Sequence, residues 1–300
     1  MKQTTIKGII VPIVTPMDEN EDVNTTELRN QVERQIAAGI HGIFPFGTNG
    51  EGYILSAAEK ELVLKTVIDQ VSGRVPVYAG TGCISTRDTI EQSKMAMDLG
   101  ADILSIITPS FAKASQRELQ VHYERVAAAV SDAPIVLYNI PARTGNALAP
   151  ETVLALSEVD NIVGAKDSSG DWDNLKAYID LTAEKDFAVL SGNDALILQA
   201  LKEGAAGSIA GCANVYPHNM VGIYENFVAG DLEAAQRCQD AVAPLRSCFK
   251  YGNPNTVVKT AVQLLGYPVG KARSPFNILD DGGVEALQAV LDEDTKNGVN

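Results

Sequence analysis

Cysteine and histidine are scarce in this chain, and what they fail to form narrows its chemistry. Cys83, Cys212, Cys238 and Cys248 are scattered without a paired CxxC spacing. That excludes a disulfide framework and a zinc site of the paired-cysteine kind, and reads as reduced thiols in a cytoplasmic protein. His41, His122 and His218 lie far apart with no HxxxH or HxH arrangement, whereas a catalytic metal needs two or three imidazoles converging on one ion. No metal and no cofactor are therefore expected. Basic residues are also short, 24 against 38 acidic, for a net charge of −14. Nucleic acid and anionic membrane surfaces would both be repelled. No apolar run approaches the roughly 20 residues of a membrane helix. The stretch from Met1 to Lys7 runs straight into a strand without the apolar core of a secretory signal. What remains as a partner is a small molecule.

Aromatics make up only 6% of the chain, but hydrophobic residues make up 45% and there are 25 glycines, the composition of an α/β protein with an aliphatic core. Three hundred residues could hold two average domains, yet barrels of alternating strands and helices often reach about 250 residues as one unit. A glycine ends a helix just before an apolar strand at Gly39, Gly100 and Gly204, supplying a left-handed cap at low steric cost. This punctuation predicts eight strands, near 8–14, 42–46, 75–80, 102–107, 134–139, 161–166, 187–191 and 206–210. Helices are expected between them near 25–38, 57–71, 86–98, 116–130, 150–157, 173–183 and 194–203. Most of the strands are short and apolar without alternation, as parallel strands covered on both faces are. Eight such units favour a (β/α)8 TIM barrel over an open sheet. Only helices follow, near 216–228, 231–248, 254–266 and 283–292. The expected organisation is a barrel catalytic domain over residues 1–225 and a C-terminal helical extension, 226–300, packed on it.

The chemistry concentrates at strand ends. The apolar run Asn161-Ile162-Val163-Gly164-Ala165-Lys166 ends in a lysine, and 28 residues earlier another run ends in Tyr138. Barrel enzymes present reactive side chains at the carboxyl face of the sheet. A lysine among apolar neighbours loses its charge more easily, and the neutral amine can attack a ketone to form a Schiff base. A lone lysine is more often a snorkelling surface residue; its place in the repeat sets Lys166 apart. The second strand runs into Phe46-Gly47-Thr48-Asn49-Gly50-Glu51-Gly52. This is either an Asn-Gly turn or a small-residue loop whose N–H groups and hydroxyl hold an anion. Without the GK[ST] ending of a nucleotide loop, a carboxylate fits it better. The fifth strand runs into Tyr138-Asn139-Ile140-Pro141-Ala142-Arg143-Thr144-Gly145. There Tyr138 is either core or a proton carrier, and Arg143 either solvated or a bidentate partner for a substrate carboxylate. Together Thr48, Tyr138 and Lys166 supply an anion site, a base and a nucleophile.

These segments resemble the signatures of the dihydrodipicolinate synthase / N-acetylneuraminate lyase family, and Gly8 to Pro16 and Ser191-Gly192-Asn193-Asp194 are similar to it too. The resemblance spans essentially the whole chain. It implies a (β/α)8 barrel with C-terminal helices, assembled as a homotetramer or homodimer. It further implies that Lys166 forms the Schiff base with pyruvate or another 2-keto acid and that Tyr138 shuttles protons. Thr48 and Asn49 would then hold the keto acid's carboxylate, and backbone at Gly192 and Ile209 would line the pocket. Asn49 stands where the synthases carry a second threonine. Phe111 stands where the family places a tyrosine that reaches across a subunit interface. Arg143 matches the synthases and departs from the sialic acid lyases, whose acidic pair after the seventh-strand glycine is also missing from Gly192-Asn193-Asp194-Ala195. The reading is a class I lyase condensing pyruvate with an aldehyde that bears a carboxylate, like 4-hydroxy-tetrahydrodipicolinate synthase. The alternatives are an aldolase or dehydratase of 2-keto-3-deoxy sugar acids on the same lysine, and a non-catalytic relative that binds small acids.

Overall fold

The computed structural model describes residues 6–300, so the expected approach to the first strand from Met1 to Thr5 lies outside the described residues. Eight strands form: β1 (Gly8–Val11), β2 (Gly42–Ile43), β3 (Tyr78–Gly80), β4 (Ile103–Ile107), β5 (Ile135–Asn139), β6 (Ile162–Asp167), β7 (Ala188–Ser191) and β8 (Gly207–Ile209). They make one sheet in the order β2-β1-β8-β7-β6-β5-β4-β3, with helices between successive strands, the topology of a (β/α)8 barrel. All eight fall where the glycine punctuation put them, but several stop early. The first, expected over 8–14, ends at Val11 because Pro12 has no N–H to continue the ladder. The second, expected over 42–46, ends at Ile43, and the chain turns at Pro45 and Phe46, the latter with a φ of 69°.

The described residues divide into two compact units, one made of 6–8 and 76–209, the other of 9–75 and 210–300. The first holds β3 to β8. Residues 103–106 of β4 and all of β5 are buried in unbroken runs, as strands covered on both faces are. Several of its helices start where short side chains can accept the first free N–H groups. Ser85 accepts from Asp88, and Ser115 forms a capping box with Glu118. Gly100 ends its helix in the left-handed region at a φ of 99°, as the sequence predicts.

The second unit holds β2, most of β1 and the helices after β8. Asn24 and Ser56 cap the helices Thr25–Ala37 and Ala57–Val71. The helix expected over 231–248 is two, Leu232–Asp240 and Ala243–Ser247. Pro244 is the reason: it lacks an N–H and is tolerated only in a first turn, so a new helix starts around it. The remaining helices are Pro217–Val228, Pro254–Leu264 and Gly283–Lys296, the last one turn longer than expected. Among the described residues no helix is long and apolar enough to cross a membrane.

Candidate active site

Tyr138 and Lys166 come together through a flaw in the ladder between β5 and β6. Ile135 pairs with Ile162, but the register then slips by one residue, so that Val136 pairs with Gly164, Tyr138 with Lys166 and Asn139 with Asp167. Without the slip Tyr138 would sit opposite Ala165. Since neighbouring residues of a strand face opposite sides, a one-residue bulge decides whether the two side chains share a face. They do, with Lys166 Nζ 3.9 Å from the centroid of the Tyr138 ring. Both residues are buried, Lys166 to 4% exposure. Gly164 permits the packing behind them, since a Cβ there would meet the Ala188 carbonyl oxygen at 2.5 Å.

Gly192 follows β7 and Ile209 ends β8. Ser191 pairs with Ser208, so Gly192 and Ile209 are the next residues on adjacent strands. A side chain at Gly192 would collide with Ser168 Oγ and come within 2.8 Å of Lys166 Cε. Its glycine is required for space, since the lysine side chain runs past it. Ile209 is buried. Arg143 is exposed on a single helical turn, Pro141–Thr144, where the sequence suggests only a loop. Gly145 closes that turn at a φ of 79°.

Asparagine 146, which the sequence reading passes over, ties this segment to the loop after β4. Its Nδ2 donates to the carbonyls of Pro109 and Ala112, both at 2.8 Å, and its Oδ1 accepts from Ala114 N–H at 2.8 Å. Between these anchors Phe111 is held at a φ of 78° with its ring 97% exposed. In the single chain the ring stands in solvent and covers nothing.

Asn139 and Asp167 were also not singled out. They are the next register pair after Tyr138 and Lys166, and Asn139 Nδ2 donates to Asp167 Oδ1 at 2.7 Å. Burial pushes the Asp167 carboxyl up, while hydrogen bonds from Ser169 and Asn139 act the other way.

The loop carrying Thr48 and Asn49 belongs to the other compact unit. Thr48 is half-buried and Asn49 buried. The expected cradle of backbone N–H groups is partly spent within the loop: Glu51 N–H donates to Thr48 O at 3.2 Å and Gly52 N–H to Gly47 O at 3.5 Å. Glu51 turns inward instead of lining a nest. It is fully buried and accepts from Lys259 Nζ at 2.9 Å and from Arg273 N–H at 2.7 Å. Lys259 is equally buried and also donates to the carbonyls of Thr15, at 2.9 Å, and Lys271, at 2.7 Å. Desolvation lowers the Lys259 pKa, with the Glu51 carboxylate opposing it.

His41 pairs with Glu225 at 2.8 Å and His122 with Thr86 at 2.9 Å. Among the described residues no three His, Cys, Asp or Glu side chains are grouped to hold a metal ion.

Lys166 and Tyr138 are thus buried together near the carboxyl ends of adjacent parallel strands, the face at which such barrels carry their active sites. The chain belongs to the dihydrodipicolinate synthetase family, whose model matches residues 5–294, and it is a lyase. It is 42% identical over 289 residues to a 4-hydroxy-tetrahydrodipicolinate synthase of Methanopyrus kandleri, covering 95% of each chain. It is 40% identical over 286 residues to a DapA-like lyase of Halobacterium salinarum, covering 95% of this chain and 93% of that one. Among solved structures, the dihydrodipicolinate synthase of Acinetobacter baumannii in complex with pyruvate is similar at 36% identity and a TM-score of 0.93, covering 99% of this chain and all of that one.

Proposed function

We propose that the chain is a Schiff-base-forming lyase that condenses pyruvate with an aldehyde bearing a carboxylate, as a 4-hydroxy-tetrahydrodipicolinate synthase does. The observation that carries this reading is the buried Lys166 with its Nζ 3.9 Å from the Tyr138 ring centroid. The Lys166 amine attacks the ketone carbon of pyruvate, and the resulting carbinolamine loses water to give an imine. Loss of a methyl proton converts the imine to an enamine, whose carbon attacks the aldehyde carbonyl. Tyr138 carries protons in both stages. Thr48 and Asn49 hold the pyruvate carboxylate, Arg143 receives the carboxylate of the second substrate, and Gly192 and Ile209 line the pocket. Supporting the choice of substrates are the similarity to the Methanopyrus 4-hydroxy-tetrahydrodipicolinate synthase and the pyruvate bound to the Acinetobacter enzyme.

Borohydride reduction in the presence of pyruvate tests the reading. A pyruvate-derived mass is expected on Lys166 and none in Lys166→Ala; label on another lysine refutes the assignment.

A second reading is cleavage or dehydration of a 2-keto-3-deoxy sugar acid on the same lysine. Phe111 favours it, because its ring cannot pass a proton where the family's tyrosine can. Turnover of aspartate semialdehyde against a panel of such acids separates the two. We further propose residues 1–225 as the catalytic domain, 226–300 as a helical extension, and a cytoplasmic homotetramer or homodimer. Light scattering of the purified protein tests the assembly.

A further inference from the structure

Tyr138 and Lys166 each stand one residue before the end of a strand, where parallel ladders fray. The last rung of this ladder is doubled. On the backbone, Ser168 N–H donates to Asn139 O at 2.8 Å and Gly192 N–H to Asp167 O at 2.7 Å. On the side chains, Asn139 Nδ2 donates to Asp167 Oδ1 at 2.7 Å, linking the residues that directly follow the reactive pair. Successive side chains point to opposite faces, so this link lies on the face away from Tyr138 and Lys166.

Both members are buried, and both are themselves anchored. Asn139 Oδ1 accepts from Leu148 N–H at 3.0 Å, which fixes the far end of the segment carrying Arg143. Asp167 Oδ2 accepts from Ser169 Oγ at 2.7 Å, and Asp167 Oδ1 from Ser169 N–H at 3.2 Å. The Asn139 amide thus uses both ends, as a donor to β6 and an acceptor from the loop after β5. An amide does what neither a carboxylate nor an apolar group could do there.

We infer that Asn139 and Asp167 are positioning residues for the proposed reaction, clamping the ends of β5 and β6 so that Lys166 and Tyr138 keep their mutual geometry. The inference rests on Lys166 as the nucleophile. A shift of about 1 Å in reacting groups can cost about a hundredfold in rate, and the side-chain link resists such a shift where the ladder is weakest. Neither residue touches the reacting atoms.

The test compares the wild type with Asn139→Asp and with the reciprocal double variant Asn139→Asp/Asp167→Asn. In each, the rate of pyruvate trapping at Lys166 by borohydride is measured at saturating pyruvate across pH, with folding followed by circular dichroism. Asn139→Asp sets two carboxylates against each other, and they can hold together only while they share a proton. Its trapping rate is expected to fall below that of the wild type by tenfold or more as pH rises, and to recover reversibly on acidification. The double variant restores the link with donor and acceptor exchanged. It can keep the bonds from Leu148 N–H and Ser169 Oγ, while the long one from Ser169 N–H is lost. It is expected within about fivefold of the wild type at every pH.

An Asn139→Asp profile parallel to the wild type overturns the inference, as does a folded double variant slowed as much as the single one. Should the single variant not fold, the double variant decides alone: within fivefold supports the clamp, and a loss beyond tenfold overturns it. A wild type that takes label on a lysine other than Lys166 instead removes the functional reading itself, which the same mass spectra reveal.

Discussion

Lys166 Nζ lies over the ring of Tyr138, 3.9 Å from its centroid. The contact involves the face of the ring, so it survives removal of the hydroxyl, and Tyr138→Phe isolates the phenol's role. General acid–base groups are worth about 10² to 10⁴ in rate. The phenylalanine variant is expected to lose kcat in that range while unfolding at the same denaturant concentration as the wild type. A variant within about twofold of the wild type would take Tyr138 out of the mechanism.

Arg143 is exposed on its helical turn, so its removal should leave the fold untouched. Losing a charge-assisted, bidentate contact costs about 1.5 to 3 kcal/mol. Arg143→Ala is expected to raise KM for the carboxylate-bearing second substrate by about tenfold or more while pyruvate trapping continues at its normal rate. Equal loss in both measurements would make the arginine structural.

The Lys259–Glu51 pair, in which both side chains are buried, predicts a large stability effect. Removing one partner of a buried, hydrogen-bonded ion pair costs about 3 to 5 kcal/mol, because the other charge stays behind. Lys259→Met leaves the fully buried Glu51 without its ammonium partner, the Arg273 N–H still donating to it. Urea unfolding should show the loss. A change below about 1 kcal/mol would mean that Glu51 reaches water or another donor in the variant.

His122 makes stability depend on pH. It is buried, its Nδ1 is shared with Thr86, its Nε2 has no hydrogen-bond partner among the described residues, and burial lowers its pKa to about 4. The unfolded chain, with an imidazole pKa near 6.5, binds the proton more readily than the folded one. The stabilising contribution is therefore complete above about pH 6.5 and is lost as pH falls from there towards 4, by up to about 3 kcal/mol. His122→Gln should flatten that part of the stability profile. An unchanged slope between pH 7 and 4 would assign it to other groups.

The eight strands were legible because each helix-ending glycine and each apolar run is a local signal, complete within about ten residues. Tyr138 and Lys166 were legible for the same reason, as the terminal residues of such runs. The slip that pairs them was not, since it is a relation between two strands and Val163 carries no mark of being the extra residue. Lys259 and Glu51 stand 208 positions apart, and neither neighbourhood hints at the other. The helix expected over 231–248 breaks near Ala241, and Pro244 is the local mark of that break. Asn139 and Asp167 repeat the 28-residue spacing of Tyr138 and Lys166 one residue on, yet nothing local marks their link.

Asn146 holds three backbone groups on either side of Phe111 and makes no bond to residue 111 itself. The backbone there is thus dictated by a residue 32 to 37 positions away from the groups it grips. A non-glycine residue at this φ carries about 1 kcal/mol or more of strain, whatever its side chain. Phe111→Tyr is accordingly expected to melt with the wild type. Address and content are separately encoded at this site: one asparagine fixes where residue 111 is displayed, and the codon at 111 alone decides what is displayed. A lineage can exchange the chemistry of that ring in a single step without renegotiating the fold.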